Sequence, residues 1–239
     1  MVDVMHHSPL CSFAGDPTRF PTGIESAIAD LKKNGIRDIG IWFPTTGYWA
    51  GFDTDGEEFR KYRDSLIFTE TSIFVRGQAI AVIAPDREKA GAMFDDFCAR
   101  VKEWGGDFVK IDNQGFHSHY RNIAPIGVSA RAIQGAIDAA TKKHFGGALI
   151  NCMGMPSECM FNRTSAVSRC SDDFTPENRE WFTKNILQCA FNGLLQGQYY
   201  YNDWDMWWTD DGQAEKNSLC RAISGGPIYI SDKLGRTNP

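Results

Sequence analysis

Apolar and polar residues along this chain follow two periods in turn, and the change of period separates strands from helices. Residues 107–112, DFVKID, form a short apolar run in which Val109 and Ile111 flank Lys110, as in a half-buried strand. Residues 129–145, by contrast, place apolar side chains at positions 133, 136, 137 and 140, which is the spacing of one helix face. The chain is therefore predicted to alternate between the two kinds of element.

The remaining elements follow from the same two periods, with glycine and proline marking the turns. The predicted strands and strand-like runs are 36–43, 72–84, 107–112, 147–153, 164–174, 199–208 and 227–232, with one or two short strands in 72–84. The predicted helices are 23–35, 85–104, 129–145, 176–197 and 215–224. Strands separated by helices indicate βαβ units and a parallel sheet.

Two parallel α/β architectures fit this order of elements. A nucleotide-binding doubly wound sheet lacks its motifs, because neither GxGxxG after the first strand nor GxxxxGK[ST] occurs. A (β/α)8 barrel of the TIM type is the prediction, with residues 1–35 as a lead-in segment and first helix, and residues 36–239 as a partial barrel that forms the catalytic domain.

Polar residues follow the apolar runs, as a barrel requires, because its active site gathers at the carboxyl ends of the strands. The residues in such positions are Thr45, Thr46, Trp49, Asp112, Cys152, Asp172, Asp173, Asp203, Trp204, Asp205 and Asp232. Repeated acidic or thiol-bearing strand ends beside tryptophans predict a shared polar cleft.

Carboxylates and aromatic residues together favour carbohydrate chemistry, since aromatic rings pack on sugar C–H groups while carboxylates bind hydroxyls and cleave glycosidic bonds. The candidate stacking residues are Trp42, Trp49, Trp204, Trp207 and Trp208, of which the last two fit a core position equally well. Asp112 and Asp172 are the candidate catalytic pair, because their strands are separated by one other predicted strand.

Neighbouring charges suggest different roles for these two carboxylates. Lys110 lies two residues before Asp112, hence on the same strand face, where its charge would help to keep a nucleophile ionised. A structural ion pair between Lys110 and Asp112 explains the same pattern. Asp172 adjoins Asp173, and this like-charge proximity favours a raised pKa in one of them, as an acid catalyst needs. Arg169 would moderate that effect or contact substrate.

Composition narrows the function classes. The formal net charge of -5 and the lack of an apolar run of membrane-spanning length argue against a nucleic-acid surface and a membrane protein. Seven cysteines without a signal-peptide pattern predict reduced thiols and a cytoplasmic location. A metal site is not predicted, because no histidine–carboxylate motif occurs, although Asp203, Asp205 and Asp232 offer oxygen ligands for a metal-dependent alternative.

Longer motifs resemble one known family. DWDMWW at 203–208 and RAISGGPIYISDKLG at 221–235 are similar to DWDMF and RAISGGPVYVSDKPG of the raffinose synthase and alkaline α-galactosidase branch of glycoside hydrolase family 36. The segments IWFPTTGYWAGF, FVKIDNQ, INCM and RCSDDF also resemble motifs of that branch, in the same order. The resemblance runs from about residue 36 to the last residue.

The resemblance implies a retaining α-galactosidase or α-galactosyltransferase that acts on oligosaccharides without a cofactor. Asp112 would be the nucleophile and Asp172 the acid/base, with Asp173 as the less favoured candidate. Residues at matching positions would contact the galactose, namely Lys110, Trp42, Cys152 and Arg169. Trp49, Asp173, Trp204 and Asp205 complete the predicted substrate-binding set.

The sequence also departs from the family in ways that bear on activity. Nothing in residues 1–35 matches the family's acidic pair ahead of a GW motif, and 36–43 resembles the third barrel strand. The expectation is an incomplete barrel with roughly strands three to eight, which exposes two edges. A homo-oligomer or missing companion domains are the expected partners. The alternative function is therefore an inactive or sugar-binding fragment of such an enzyme.

Overall fold

The computed structural model describes residues 9–69 and 79–238. The chain divides into two compact units, the first ending at Ser165 and the second beginning at Ala166. Within the described ranges, no helix is long and apolar enough to cross a membrane.

The first unit contains most of the helices and strands. Its helices are α1 (Ile24–Lys33), α2 (Glu57–Tyr62), α3 (Arg87–Glu103), α4 (Ile126–Phe145) and α5 (Ser157–Met160). Its strands are β1 (Gly40–Pro44), β2 (Leu66–Phe68), β3 (Ala81–Ile83), β4 (Phe108–Asp112) and β5 (Leu149–Asn151). Two 3₁₀ segments cover Arg63–Ser65 and Gln114–Tyr120.

A parallel sheet carries the first unit's polar strand ends. Strand β4 pairs in parallel with β1 on one side and with β5 on the other. Helices α3 and α4 supply the crossovers between these strands, as the predicted βαβ pattern requires. The register places Trp42 opposite Lys110 and Pro44 opposite Asp112.

Two short strands outside this sheet were incompletely predicted. Strand β3 falls within the predicted run 72–84 but pairs antiparallel with β2, which the pattern did not indicate. Residues 72–78 of that run lie outside the described residues.

Helix α2 was also missed, because its six residues are too few to show a helical period.

Aromatic packing fixes the lead-in segment to the first unit. Phe13 lies 5.7 Å from Phe43 of β1 and 5.5 Å from Phe97 of α3, measured between ring centroids. The rings of Phe43 and Phe97 stack at 4.1 Å. Offset and edge-on contacts of this kind add to the free energy gained by burying the rings.

The second unit consists of two parallel strands and two helices. These are β6 (Val167–Arg169), α6 (Arg179–Gln196), β7 (Tyr201–Asp203) and α7 (Ala214–Ser224). Strands β6 and β7 pair in parallel, with Arg169 opposite Asp203. The predicted strand at 227–232 is wrong as a strand, because only Ile230 bridges, to Trp207.

Candidate active site

Asp112 is the last residue of β4, and both of its carboxylate oxygens accept hydrogen bonds. The Trp42 indole N–H donates to Oδ2 over 2.9 Å, and the Asn113 backbone N–H donates to Oδ1 over 2.6 Å. Hydrogen bonds to a carboxylate are strong and directional, so they fix its orientation. The side chain is nearly buried, with 8% of the residue exposed.

Trp42 and Lys110 share the environment of Asp112 because of the parallel register. Trp42 is paired with Lys110 across β1 and β4, and alternate residues of β4 point to the same face. Lys110 is buried, with 5% exposed. The sequence had assigned Trp42 to a stacking wall, whereas in the structure its indole also donates to the candidate nucleophile.

The loop after β1 is tied to the end of β4 by a buried network that the sequence did not reveal. The Thr45 backbone N–H donates to the Asp112 carbonyl over 2.9 Å, and its hydroxyl donates to the Asn113 carbonyl over 2.7 Å. The Asn113 amide in turn donates to the Thr46 hydroxyl over 3.1 Å. Asn113 has a φ of 55°, a left-handed conformation that asparagine tolerates better than most residues. The sequence offered one indication that Asn113 belongs to the site, namely its position directly after Asp112.

Three aromatic rings line the same loop. Trp42 stacks on Tyr48 with ring centroids 6.2 Å apart and planes 19° apart. Trp49 packs at a tilt against Trp42, 5.8 Å away. Trp49 is nearly buried, so it presents little ring surface to solvent. Its contact with Trp42 supports the position of that ring.

Cys152 follows β5 directly and is buried, next to polar residues at the ends of β4 and β5. Its backbone N–H donates to the Ile111 carbonyl over 2.9 Å, which extends the pairing with β4. Beside it, the Gln114 amide donates to Asn151 over 2.8 Å, and Arg163 donates to Gln114 over 3.3 Å. Buried polar groups that are satisfied in this way keep strand ends in one arrangement.

Arg169 and Asp205 form a buried ion pair in the second unit. The guanidinium Nη2 lies 2.8 Å from Asp205 Oδ2, and the two side chains are 2% and 1% exposed. The same nitrogen donates to Asp173 Oδ1 over 3.0 Å, although the Asp173 side chain is 92% exposed. The predicted contact residues Arg169, Asp173 and Asp205 are therefore brought together.

Asp205 also organises the backbone around it. It has a φ of 66°, and its N–H donates to Asp203 Oδ1 over 2.8 Å. Its Oδ2 accepts from the Phe174 N–H over 2.6 Å, which holds the loop that carries Asp172 and Asp173. The Tyr229 hydroxyl donates to Asp203 over 2.9 Å. Burial and the adjacent carboxylates raise the pKa of Tyr229, so that it stays protonated as a donor.

Arg221 is fully buried beneath this cluster. Its guanidinium donates to the Trp204 carbonyl over 2.9 Å and to Asn217 over 2.6 Å. Burial lowers the pKa of Arg221, an effect that neighbouring acidic groups such as Asp205 oppose. The sequence singled out RAISGGP as a motif but gave no role to its arginine, because a buried arginine is not visible in a local pattern.

Asp172 lies on the surface and contacts α6. Its Oδ2 accepts from Gln188 Nε2 and from Lys184 Nζ, both over 2.9 Å. The hydrogen bond from Gln188 and the Lys184 cation hold the pKa of Asp172 below its usual range. Like-charge proximity was expected to raise the pKa of either Asp172 or Asp173, and for Asp172 this is wrong, because Gln188 and Lys184 of α6 lower it.

The other candidates occupy different environments. Trp207 is buried, as a core position requires. Trp208 is partly exposed, with Lys233 Nζ 4.7 Å from its ring centroid. Asp232 accepts from the Thr209 hydroxyl over 2.7 Å. Among residues 9–69 and 79–238, no three histidine, cysteine or acidic side chains meet as metal ligands.

The ordered motifs and strand ends agree with a single family. Residues 14–239 match the family described as raffinose synthase or seed imbibition protein Sip1. The chain belongs to this raffinose synthase family. The predicted membership is thereby confirmed, and the motifs around Asp112, Cys152, Asp172 and Asp203 lie within the matched range.

Curated relatives of this raffinose synthase family member include plant proteins. The chain is 28% identical over 232 residues to probable galactinol–sucrose galactosyltransferase 6 of Arabidopsis thaliana, which aligns with 90% of this chain and 30% of that protein. It is 32% identical over 225 residues to a galactinol–sucrose galactosyltransferase of Oryza sativa subsp. japonica, with 84% of this chain and 28% of that protein aligned. The chain thus spans less than a third of the length of these relatives.

A solved structure shows the same fold. The α-galactosidase of Thermus thermophilus in complex with stachyose superposes with a TM-score of 0.65 at 16% identity, covering 98% of this chain and 54% of that enzyme. This likeness confirms the predicted α/β fold of the TIM-barrel type.

Proposed function

We propose that this chain acts on α-galactosides by a retaining double displacement, with Asp112 as the nucleophile and Asp172 as the acid/base. The observation that carries the proposal is the carboxylate of Asp112, which lies at the end of β4, almost buried and oriented by Trp42 and Asn113. Membership of the raffinose synthase family supports the choice of α-galactosides.

The first displacement forms a bond between an Asp112 oxygen and the anomeric carbon of the galactose. The glycosidic C–O bond breaks as Asp172 delivers its proton to the leaving oxygen, so the sugar is held as a β-galactosyl ester. In the second displacement, a hydroxyl attacks the same carbon and Asp172 takes its proton. Asp112 leaves as a carboxylate, and the product has the α-configuration of the substrate.

The attacking hydroxyl comes from water in hydrolysis and from an acceptor sugar in transfer. The relatives are named as galactosyltransferases between galactinol and sucrose, which supports transfer to a sugar hydroxyl as an activity to test here. Both outcomes share one galactosyl-enzyme, so the same two carboxylates serve either reaction.

The substrate-binding residues fall into two groups under this proposal. Lys110, Trp42 and Cys152 would contact the galactose, with Trp49 supporting Trp42. Arg169 would bind sugar hydroxyls, held in place by the buried carboxylate of Asp205. Asp173, whose side chain is largely solvent-accessible, and Trp204 would also contact the substrate.

Retention is the first measurement that tests the proposal. We expect the purified chain to release α-galactose, before mutarotation, from an aryl α-galactoside, and the anomer can be followed by proton NMR. Release of β-galactose would contradict the double displacement. A folded chain that binds galactose but releases none would instead support the sugar-binding alternative.

Replacing Asp172 tests the acid/base role. Asp172→Ala should lower turnover of a natural α-galactoside by roughly 10²–10⁴-fold, the usual contribution of a positioned acid or base. An aryl substrate with a good leaving group should lose less, because its departure needs no proton. Azide should restore the turnover of this aryl substrate by Asp172→Ala and yield α-galactosyl azide, since a small anion needs no base to attack the anomeric carbon.

Asp173→Ala is the matched control for this experiment. It removes a neighbouring carboxylate and its bond to Arg169, and azide should not rescue it. Azide rescue of Asp173→Ala, without rescue of Asp172→Ala, would transfer the acid/base role to Asp173.

A further inference from the structure

One face of α6 contacts Asp172. Trp181, Lys184 and Gln188 are spaced three and four residues apart, so they lie on one side of the helix. Lys184 and Gln188 both contact the Asp172 carboxylate. Neither residue belongs to the predicted site, because the strand-end pattern identifies residues after strands and not residues in the middle of a helix.

Gln188 forms two hydrogen bonds with Asp172. Its Oε1 accepts from the Asp172 backbone N–H over 2.8 Å, and its Nε2 donates to Asp172 Oδ2 over 2.9 Å. Asn185, one helical turn earlier, donates to the Asp172 carbonyl over 3.2 Å. Backbone and carboxylate are therefore both held from α6, which leaves the side chain little rotational freedom.

Lys184 completes the contact with a full charge. Its Nζ lies 2.9 Å from Asp172 Oδ2 and 3.9 Å from the centroid of the Trp181 ring, where a cation–π interaction orients the ammonium group. The side chains of Lys184 and Asp172 are 47% and 51% exposed, so this ion pair is accessible to solvent.

The other charges near Asp172 are largely committed elsewhere. Arg169 of β6 acts on Asp172 at longer range, but its guanidinium is paired with Asp205 and Asp173. Asp173 is the neighbouring acid and is bonded to Arg169. Among residues 9–69 and 79–238, Lys184 is thus the cation in direct contact with Asp172, and Gln188 is the neutral donor on the same oxygen.

We propose that Lys184 and Gln188 are positioning residues for Asp172, with Gln188 fixing the direction of its carboxylate and Lys184 setting the pH at which it takes up a proton. The catalytic consequence rests on the proposed acid/base role of Asp172. An acid catalyst must begin protonated, and a contacting cation disfavours that form. The lowered pKa of Asp172 agrees with this arrangement.

The sign of the effect can be worked out directly. Removing Lys184 removes a cation that stabilises the ionised carboxylate, so the Asp172 pKa should rise. The protonated acid would then persist to higher pH, and the basic limb of the kcat/KM profile would move in the same direction. Releasing the Gln188 donor should act with the same sign.

A carbon-NMR titration of the Asp172 carboxyl tests the proposal without relying on turnover. The resonance is assigned by its absence in Asp172→Asn. In Lys184→Met and in Gln188→Met the Asp172 midpoint should lie at higher pH than in the wild type. Lys184→Arg, which keeps the cation, should restore a midpoint close to the wild-type value.

Lys143→Met is the matched control. It removes a lysine–aspartate pair of similar length, 2.7 Å to Asp95, from the first unit. The Asp172 midpoint should not change in this variant. An unchanged midpoint in Lys184→Met, or a midpoint in Lys184→Arg equal to that of Lys184→Met, would overturn the proposal.

The kinetic profile then separates this proposal from the proposed function. If the Asp172 midpoint and the basic limb of the kcat/KM profile both move to higher pH in Lys184→Met, the positioning role and the acid/base role are both supported. If the midpoint rises while Asp172→Ala keeps wild-type activity, the positioning contacts stand and the acid/base assignment fails.

Discussion

Asp112→Asn should abolish turnover of α-galactosides while leaving the fold intact. Asparagine has nearly the same shape and keeps an oxygen that can accept from either Trp42 or Asn113, but it carries no negative charge to attack the anomeric carbon. Loss of a covalent nucleophile usually costs kcat on the order of 10⁴-fold or more. The rate of release of an aryl leaving group measures the effect.

Asp107→Asn is the control for Asp112→Asn. It makes the same substitution just before β4, where the carboxylate accepts from the Ile39 N–H over 2.9 Å and pairs with Lys32. This variant should retain turnover, since Asp107 lies at the opposite end of the strand. Turnover by Asp112→Asn within tenfold of wild type, at equal folded fraction by circular dichroism, would exclude Asp112 as the nucleophile.

Arg221→Ala is expected to have the largest effect on stability. The guanidinium is fully buried, and its removal leaves the Trp204 carbonyl and the Asn217 side chain without a donor while opening a cavity. Unsatisfied buried polar groups and lost packing together should lower the free energy of unfolding by about 3–5 kcal/mol. Urea unfolding followed by tryptophan fluorescence would measure the change.

Arg236→Ala provides the comparison. Arg236 pairs with Asp210 over 2.6 Å, but its side chain is 46% exposed. Solvent screening limits such a pair to less than about 1 kcal/mol. Equal losses in the two variants would show that Arg221 is not a structural centre of the second unit, and that its hydrogen bonds contribute no more than a surface contact.

Regular elements with strong periods were predictable from the sequence. Helices α3, α4 and α6 lie where apolar spacing placed them, although α4 begins at Ile126, before its predicted start. Strands β4 and β5 end close to the predicted polar residues. Local periodicity decides these elements because one buried face is sufficient to specify them.

Short elements and strand partners were less predictable. Strand β2 has three residues, and its antiparallel pairing with β3 depends on contacts that no local period encodes. The apolar run 227–232 reads as a strand, yet its Tyr229 side chain is directed to Asp203 and Asp205 and only one bridge forms. An apolar run shows strand propensity but does not show whether a neighbouring strand pairs with it.

The sequence by itself determined where the candidate carboxylates occur and to which family the chain belongs. Asp112 at the end of β4 and Asp172 after β6 are consequences of parallel strands followed by polar loops. The tertiary structure decided what surrounds them, including Trp42 and the loop of Thr45 beside Asp112, and Gln188 beside Asp172. The physical reason is that periodicity reports burial along one element, whereas a hydrogen-bond partner and a pKa depend on groups that only folding brings within about 3 Å.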